Sequence, residues 1–286
     1  MVLVHIKTGG EAGDEFIVES SVENTNDELI AQIVHVWNLR LRLGQLCGAM
    51  MDLAAHGPMK PNDQQGLDEI QEKYSGASID RGEFYAPDPN GMRTGNGVGP
   101  QLTQTFEAVV ADARTALDPA LARRRQACSA EDLEEKLANM RGAVVMAFPM
   151  GLPEFDTVAL TLESADGLEG TAASQAVLDP ATATLWCAGR EFQRGQLVKD
   201  RVGRNEKTKV VCKLQKGDAG GPPGREPGIS EEERKAMMAH YFKKQEEMKK
   251  LAEADEDDYL NSSWADPKAL QRNLRGMGSV RAPGLM

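Results

Sequence analysis

Aromatic residues are scarce in this chain: Phe, Tyr and Trp together make up 5% of it. Such side chains dominate the energetics of compact cores. Their scarcity, with a mean hydropathy of −0.45, points to real cores diluted by polar linkers or tails. Positive charge is short as well. Lys and Arg number 33 against 44 Asp and Glu, a formal net charge of −11. That balance argues against general nucleic-acid or anionic-membrane binding, because neutralising phosphates needs clustered cations. The one dense basic cluster, Arg123-Arg124-Arg125, is flanked by helix-like sequence and reads as a solvated helix end. No apolar run approaches the roughly 20 residues of a membrane-spanning helix. The opening MVLVHIKTGGE lacks the basic-then-apolar order of a signal peptide. A soluble, intracellular protein is expected.

Metal-ligand spacings are missing too. The four cysteines, Cys47, Cys128, Cys187 and Cys212, form no C-x-x-C, and three sit among apolar residues as buried free thiols do. That usage fits a reducing compartment. None of the four histidines, His5, His35, His56 and His240, lies within helical or hairpin reach of a cysteine or a second histidine. His5 is placed on the outer face of a strand, and His35 and His56 on helix surfaces. No serine is surrounded by nucleophile-elbow glycines, and no cysteine has an obviously electropositive setting. The acidic run Asp255–Asp258 lacks the glycine and twelfth-position Glu of a calcium loop. We expect no metal, no cofactor and no enzymatic activity.

Two stretches imitate phosphate loops. In VGRNEKTKVVCKL, Val202 to Leu214, Gly203 precedes Lys207-Thr208 by four residues. A phosphate loop needs G-x-x-x-x-G-K-[ST] leading into a helix. Here the second glycine is absent and an alternating strand follows, so the segment reads as a turn feeding a strand. Gly95-Asn96-Gly97-Val98-Gly99 has neither a preceding strand nor an enclosing βαβ unit and reads as linker.

At 286 residues the chain accommodates one large domain or two small ones. VLVHIK, residues 2–7, alternates; a glycine-rich turn over Thr8–Gly13 and the run Glu15–Glu19 complete a hairpin. Thr25 to Glu28 is a capping box opening a helix with Leu29, Ile33, Val36 and Trp37 on one stripe. A second helical stretch, Gln45–His56, stops at Gly57-Pro58. This ββα order is that of a ubiquitin-like β-grasp over 1–57. A Gly/Pro-rich linker follows over 58–100, with at most one short helix near Leu67–Lys73. A helical connector occupies 101–141: one helix ends at Asp118-Pro119, and Ser129 caps another. Over 142–216 the pattern predicts a second β-grasp-like ββαβ unit. Its parts are a hairpin of Ala143–Phe148 and Thr157–Glu163, a helix from Asp179-Pro180 carrying Leu185, Gly189 and Phe192, and a strand over Thr208–Gln215. The fold class is α+β. A flexible spacer over 217–229 leads to a charged helix and tail over 230–286. That helix is capped by Ser230 and Glu233, runs to about Ala254, and has Glu231–Lys235 and Glu246–Lys250 pairs worth about 0.2–0.5 kcal/mol each. The last twenty residues read as extended.

The candidate functional residues lie in this final part. Met237, Tyr241, Met248 and Leu251 form a narrow apolar stripe at heptad-like spacing beside dense charge. Tyr259, Leu260 and Trp264 follow in a stretch too polar to build its own core. Aromatic and methionine anchors on such a segment suit a helix laid in a partner's groove. These seven residues are the expected partner-binding set.

Five segments, MVLVHIK, LRGAVVMAFPMGLPEFD, VGRNEKTKVVCKL, REPGISEEE and DEDDYLNSSWADPKALQR, together resemble the Kurly family, the cilia- and flagella-associated protein 298 group. The likeness spans most of the chain and is weakest over 76–100 and 164–178. It implies a non-enzymatic adaptor for motile cilia and flagella, present in the cytoplasm and at the axoneme, that supports preassembly or docking of axonemal dynein arms. Its partners would be dynein chains or dynein assembly co-factors, and neither nucleic acid nor membrane. The alternative is a structural axonemal component stably bound to dynein or doublet microtubules.

Overall fold

A computed structural model describes residues 1–7, 14–66, 81–217, 231–261 and 268 of the chain; within these, the side chains of 165–166, 231–234 and 251–261 are outside the description. The chain divides into two units, Met1–Gly224 and Arg225–Met286. The class is α+β, and it opens with a hairpin and a helix as the sequence predicts.

Strand β1 (Val2–Lys7) pairs antiparallel with β2 (Glu15–Ser20), Val2 opposite Ser20 and Lys7 opposite Glu15. Alternation puts Val2, Val4 and Ile6 into the core. Helix α1 (Asn26–His56) starts at the expected capping box. Thr25 Oγ1 accepts from the Glu28 N–H at 3.2 Å, and Glu28 Oε2 accepts from the Thr25 N–H at 3.0 Å. The two helical stretches of the sequence reading are one helix of 31 residues. Gly44 does not break it: a mid-helix glycine costs only about 1 kcal/mol, and Leu43, Leu46, Cys47 and Met50 around it are all buried.

An insertion follows. Helices α2 (Pro100–Leu117) and α4 (Ala130–Ala147) pack on α1 and on each other, α5 (Thr157–Glu163) packs on α1, and the short α3 (Ala120–Arg123) lies against β2. Ser129 caps α4 as expected, its hydroxyl accepting from the Asp132 N–H at 3.1 Å. Arg123, Arg124 and Arg125 are exposed at the end of α3.

Two expected strands are helical. Ala143–Phe148 is the last turn of α4 and the residue that ends it, and Thr157–Glu163 is α5. The buried positions show why. Met140, Ala143 and Val144 face the core while Val145 and Met146 are exposed; Val158 and Leu162 are buried while Leu160 is exposed. These are i, i+3, i+4 faces, which a short continuous apolar run conceals. Asp156 caps α5, Oδ1 accepting from the Val158 N–H at 2.8 Å.

The helix expected after Asp179-Pro180 is instead a turn and a hairpin, β3 (Thr184–Cys187) and β4 (Arg190–Glu191). Ala188 and Gly189 between them have φ of 50° and 75°, as a two-residue hairpin turn twisted to match its strands requires. Helix α6 (Val198–Val202) and β5 (Lys209–Gln215) complete the unit. The stretch VGRNEKTKVVCKL is the expected turn: Asn205 Oδ1 accepts from the Lys207 N–H at 3.0 Å, and the strand begins two residues later.

The sheet order is β2-β1-β5-β3-β4, with β1 and β5 parallel and the other pairs antiparallel. The expected unit over 142–216 is thus corrected further: its strands do not form a sheet apart. A two-stranded hairpin is marginal alone and β1 would keep an unpaired edge. Strand β5 fills that edge, Ile6 opposite Cys212, and a single mixed five-stranded sheet results, split by the insertion after α1.

The described parts of 58–100 are packed loops, a correction of the linker reading. Bridges join Met59 to Arg93 and Tyr85 to Asn96. The Val98 N–H donates to Ala54 O at 2.9 Å, so the loop closes the end of α1. A Cβ on Gly97 would collide with the Ala55 carbonyl; the glycine permits close approach rather than flexibility. The turn at 8–13, the helix at 67–73, nearly all of the 217–229 spacer and all of the extended end but residue 268 lie outside the described residues.

In the second unit, α7 (Glu231–Asn261) runs seven residues past the expected end at Ala254. Asp costs a helix only a few tenths of a kcal/mol per residue, so the acidic run does not stop it.

Candidate partner-binding surface

Helix α7 is charged on most of its circumference, so its apolar residues stand out. Met237, Tyr241 and Met248 fall within about 40° of one another on a 3.6-residue helix. All three are exposed, Tyr241 by 67% and Met248 by 65%. Leu251, Tyr259 and Leu260 lie within α7, with side chains outside the description, and Trp264 lies outside the described residues. Of the seven residues expected from the sequence, the structure therefore brings three together on one exposed stripe.

Sequence reasoning missed Met238 and Phe242, exposed by 54% and 59%. They form a second i, i+4 row beside Met237 and Tyr241 and widen the stripe from about 40° to about 140° of the helix. The signal was present in AMMAHYF, but a two-per-heptad template counts only one row. Apolar anchors on a helix that leaves them in solvent are chemically suited to insertion into a groove on another polypeptide.

A second apolar outcrop lies in the first unit, at the corner between α4 and α5. Val145, Met146, Phe155 and Leu160 are exposed there, and Met150 is 99% exposed.

Polar groups concentrate where the 57–66 and 81–99 loops meet α5. Asp156 is fully buried. Its Oδ2 accepts from the Met59 N–H at 2.9 Å and lies 3.4 Å from Arg93 Nη1, which also donates to Gly57 O at 2.8 Å. Asp88 accepts from the N–H groups of Asn90, Met92 and Arg93 at 2.8–3.0 Å. Burial pushes the Asp88 carboxyl up, but those donors and the nearby His56 outweigh it and hold it below its ordinary value. A cleft of about 300 Å³ opens beside them, lined by Asp52, His56, Met59, Asp88 and Arg93 among others. Both carboxylates are engaged in fixing the loops, each with three hydrogen-bond or ion-pair contacts.

The histidines are placed apart. His5 is buried against Glu15, Nε2 to Oε2 3.1 Å, on the sheet's outer face. His35 meets Glu134 at 3.0 Å on the surface, and His56 Nδ1 meets Ala86 O at 3.1 Å. Among the described residues no three His, Cys, Asp or Glu side chains are grouped to hold a metal, and no helix is long and apolar enough to cross a membrane.

Fold and surface together define an α+β protein that presents apolar anchors on an exposed helix. The profile of the cilia- and flagella-associated protein 298 family matches residues 183–280, from the β3–β5 strands through α7. Relatives cover nearly the whole chain. Cilia- and flagella-associated protein 298-B of Xenopus laevis is 37% identical over 284 residues, 98% of each chain. The Drosophila melanogaster protein of the same family is 37% identical over 290 residues, and the Homo sapiens one 35% over 289, each covering 98% of this chain. The chain belongs to the cilia- and flagella-associated protein 298 family. No solved structure matches it.

Proposed function

We propose that this protein is a non-enzymatic adaptor that supports cytoplasmic preassembly or docking of axonemal dynein arms, and that α7 is the surface it offers. The observation that carries this reading is the exposed double row of Met237, Met238, Tyr241, Phe242 and Met248. Large apolar groups held in solvent at that density are favourable only if something covers them. Flanking Lys and Glu side chains would set register and orientation on the partner. Dynein chains or dynein assembly co-factors are the partners this reading requires. A net charge of −11 disfavours direct contact with acidic tubulin surfaces.

The test is capture of dynein heavy and intermediate chains from the cytoplasm of ciliated cells by the full-length protein. Tyr241→Ala with Phe242→Ala removes two aromatic anchors, each worth about 2 kcal/mol. Recovered dynein should fall at least about 10-fold, while the melting temperature stays unchanged because neither ring packs in a core. Undiminished recovery overturns the proposal. So does finding the protein entirely in salt-washed axonemes with no cytoplasmic pool, which would make it a structural part.

A further inference from the structure

Strands β3 and β5 place two thiols face to face. Cys187, the last residue of β3, is the direct antiparallel partner of Cys212 in β5. Opposed residues of an antiparallel pair share a face and have Cα atoms about 4.5–5.5 Å apart, inside the roughly 4.4–6.8 Å that a disulfide spans. Both cysteines are free thiols. Cys212 is buried in the core beside Ile6, whereas Cys187 is half-buried and precedes the Ala188–Gly189 turn at the sheet's end.

A cation stands over the pair. Arg201 of α6 donates from Nη2 to the Cys187 carbonyl at 2.7 Å, while its buried Nε–H has no hydrogen-bond partner. An unsatisfied buried guanidinium donor costs free energy, and a thiolate forming beside it would relieve that cost. The thiols divide the work accordingly. A hydrogen bond from Cys212 and the charge of Arg201 outweigh burial and bring the Cys187 thiol down to about 7. Cys212, which donates that bond and is the more buried, is pushed up and keeps its proton. By contrast, burial raises both Cys47 and Cys128 above the ordinary thiol value.

We propose that Cys187 and Cys212 form a peroxide-responsive dithiol, in which Cys187 is the nucleophile, Cys212 the resolving thiol and Arg201 the positioning cation. The Cys187 thiolate attacks the outer oxygen of a hydroperoxide and the O–O bond breaks. An alkoxide leaves and takes up a proton to become an alcohol, or water when the oxidant is hydrogen peroxide, and Cys187 becomes a sulfenic acid. The Cys212 sulfur then attacks the Cys187 sulfur, its proton departing with the hydroxyl as water, and a disulfide ties β3 to β5. Two thiols are oxidised by two electrons and one peroxide is reduced.

The experiment treats the full-length protein with hydrogen peroxide, alkylates the remaining thiols and maps peptides by mass spectrometry. The expected product is a Cys187–Cys212 cross-link lighter by two hydrogens, with Cys47 and Cys128 still alkylated. In Cys212→Ser, Cys187 should stop at a sulfenic acid that a 1,3-dione traps. In Arg201→Gln, the pH of half-maximal Cys187 alkylation should rise and the peroxide rate should fall several-fold. The unsubstituted protein decides the matter even if a variant folds poorly. Oxidation of Cys47 or Cys128 ahead of the pair overturns the proposal, as does a cross-link between chains or a Cys187 alkylation profile no lower than that of a free cysteine.

Discussion

Residue by residue, charge in this protein is spent on holding backbone in place. Asp156 caps α5, takes the Met59 N–H and lies beside Arg93 without touching water. Arg42 does the same with the Thr161 and Leu162 carbonyls at the other end of α5. His5 makes such placement measurable. Burial lowers its pKa from 6.5, Lys209 and Lys7 act in the same direction, and Glu15 opposes them. The unfolded chain therefore binds this proton first as pH falls. Stability tied to His5 is complete above 6.5 and is lost as pH drops from there toward the folded value. We expect the urea midpoint of the protein to fall between about pH 7.5 and 5.5 by more than that of His5→Gln. Equal falls would remove His5 from the pH dependence. Nothing in VLVHIK indicates this: alternation puts His5 on the outer face, but the Glu15 and Lys209 charges that act on it lie ten and some two hundred residues away.

Among the elements, the ones written locally were legible and the ones defined by packing were not. The Thr25 and Ser129 caps, the Asp118-Pro119 stop and the strands β1, β2 and β5 all follow from short-range signals that the folded chain keeps. AVVMAF failed because a continuous apolar run has no period, and CAGRE failed because a two-residue turn with Ala first is an uncommon spelling of that turn. Val144 and Val145 separate the helical from the extended reading of the first. In α4, Val144 is buried and Val145 is 60% exposed. Val145→Glu should change unfolding free energy by no more than about 0.5 kcal/mol, whereas Val144→Glu should cost about 3 kcal/mol or more by burying a charge. A large cost at Val145, measured by urea unfolding, would sink the helical assignment. Gly97 lies in the expected linker over 58–100 yet serves to bring two backbones together, while Gly57 ends α1 as its sequence predicts.

For the whole molecule, the decisive contact is the parallel pairing of β1 with β5, which joins residues about two hundred positions apart. The sheet is complete only when both ends of the first unit are present. An isolated fragment of residues 1–57, which the sequence reading would treat as a unit, should therefore show no cooperative thermal transition: it retains two strands, an open β1 edge and an α1 stripped of α2, α4 and α5. A sharp transition by circular dichroism would restore the independent-domain reading. The candidate surface was more legible than the sheet, because Met237, Tyr241 and Met248 needed only helical periodicity and a charged surround to be singled out. The α4–α5 outcrop was not, since the exposure of Met150 depends on which turn of helix precedes it.

The chain's residues by themselves determined the helix caps, the first hairpin, the α+β class and the apolar stripe of α7, because each rests on contacts or periodicities within a few turns. Tertiary structure alone decided the partner of β1, the helical state of 143–147 and 157–163, the packing of the glycine-rich loops and the meeting of Cys187 with Cys212. Those outcomes depend on groups remote in sequence, and which of them meet is selected by the burial and backbone hydrogen bonding of the whole first unit.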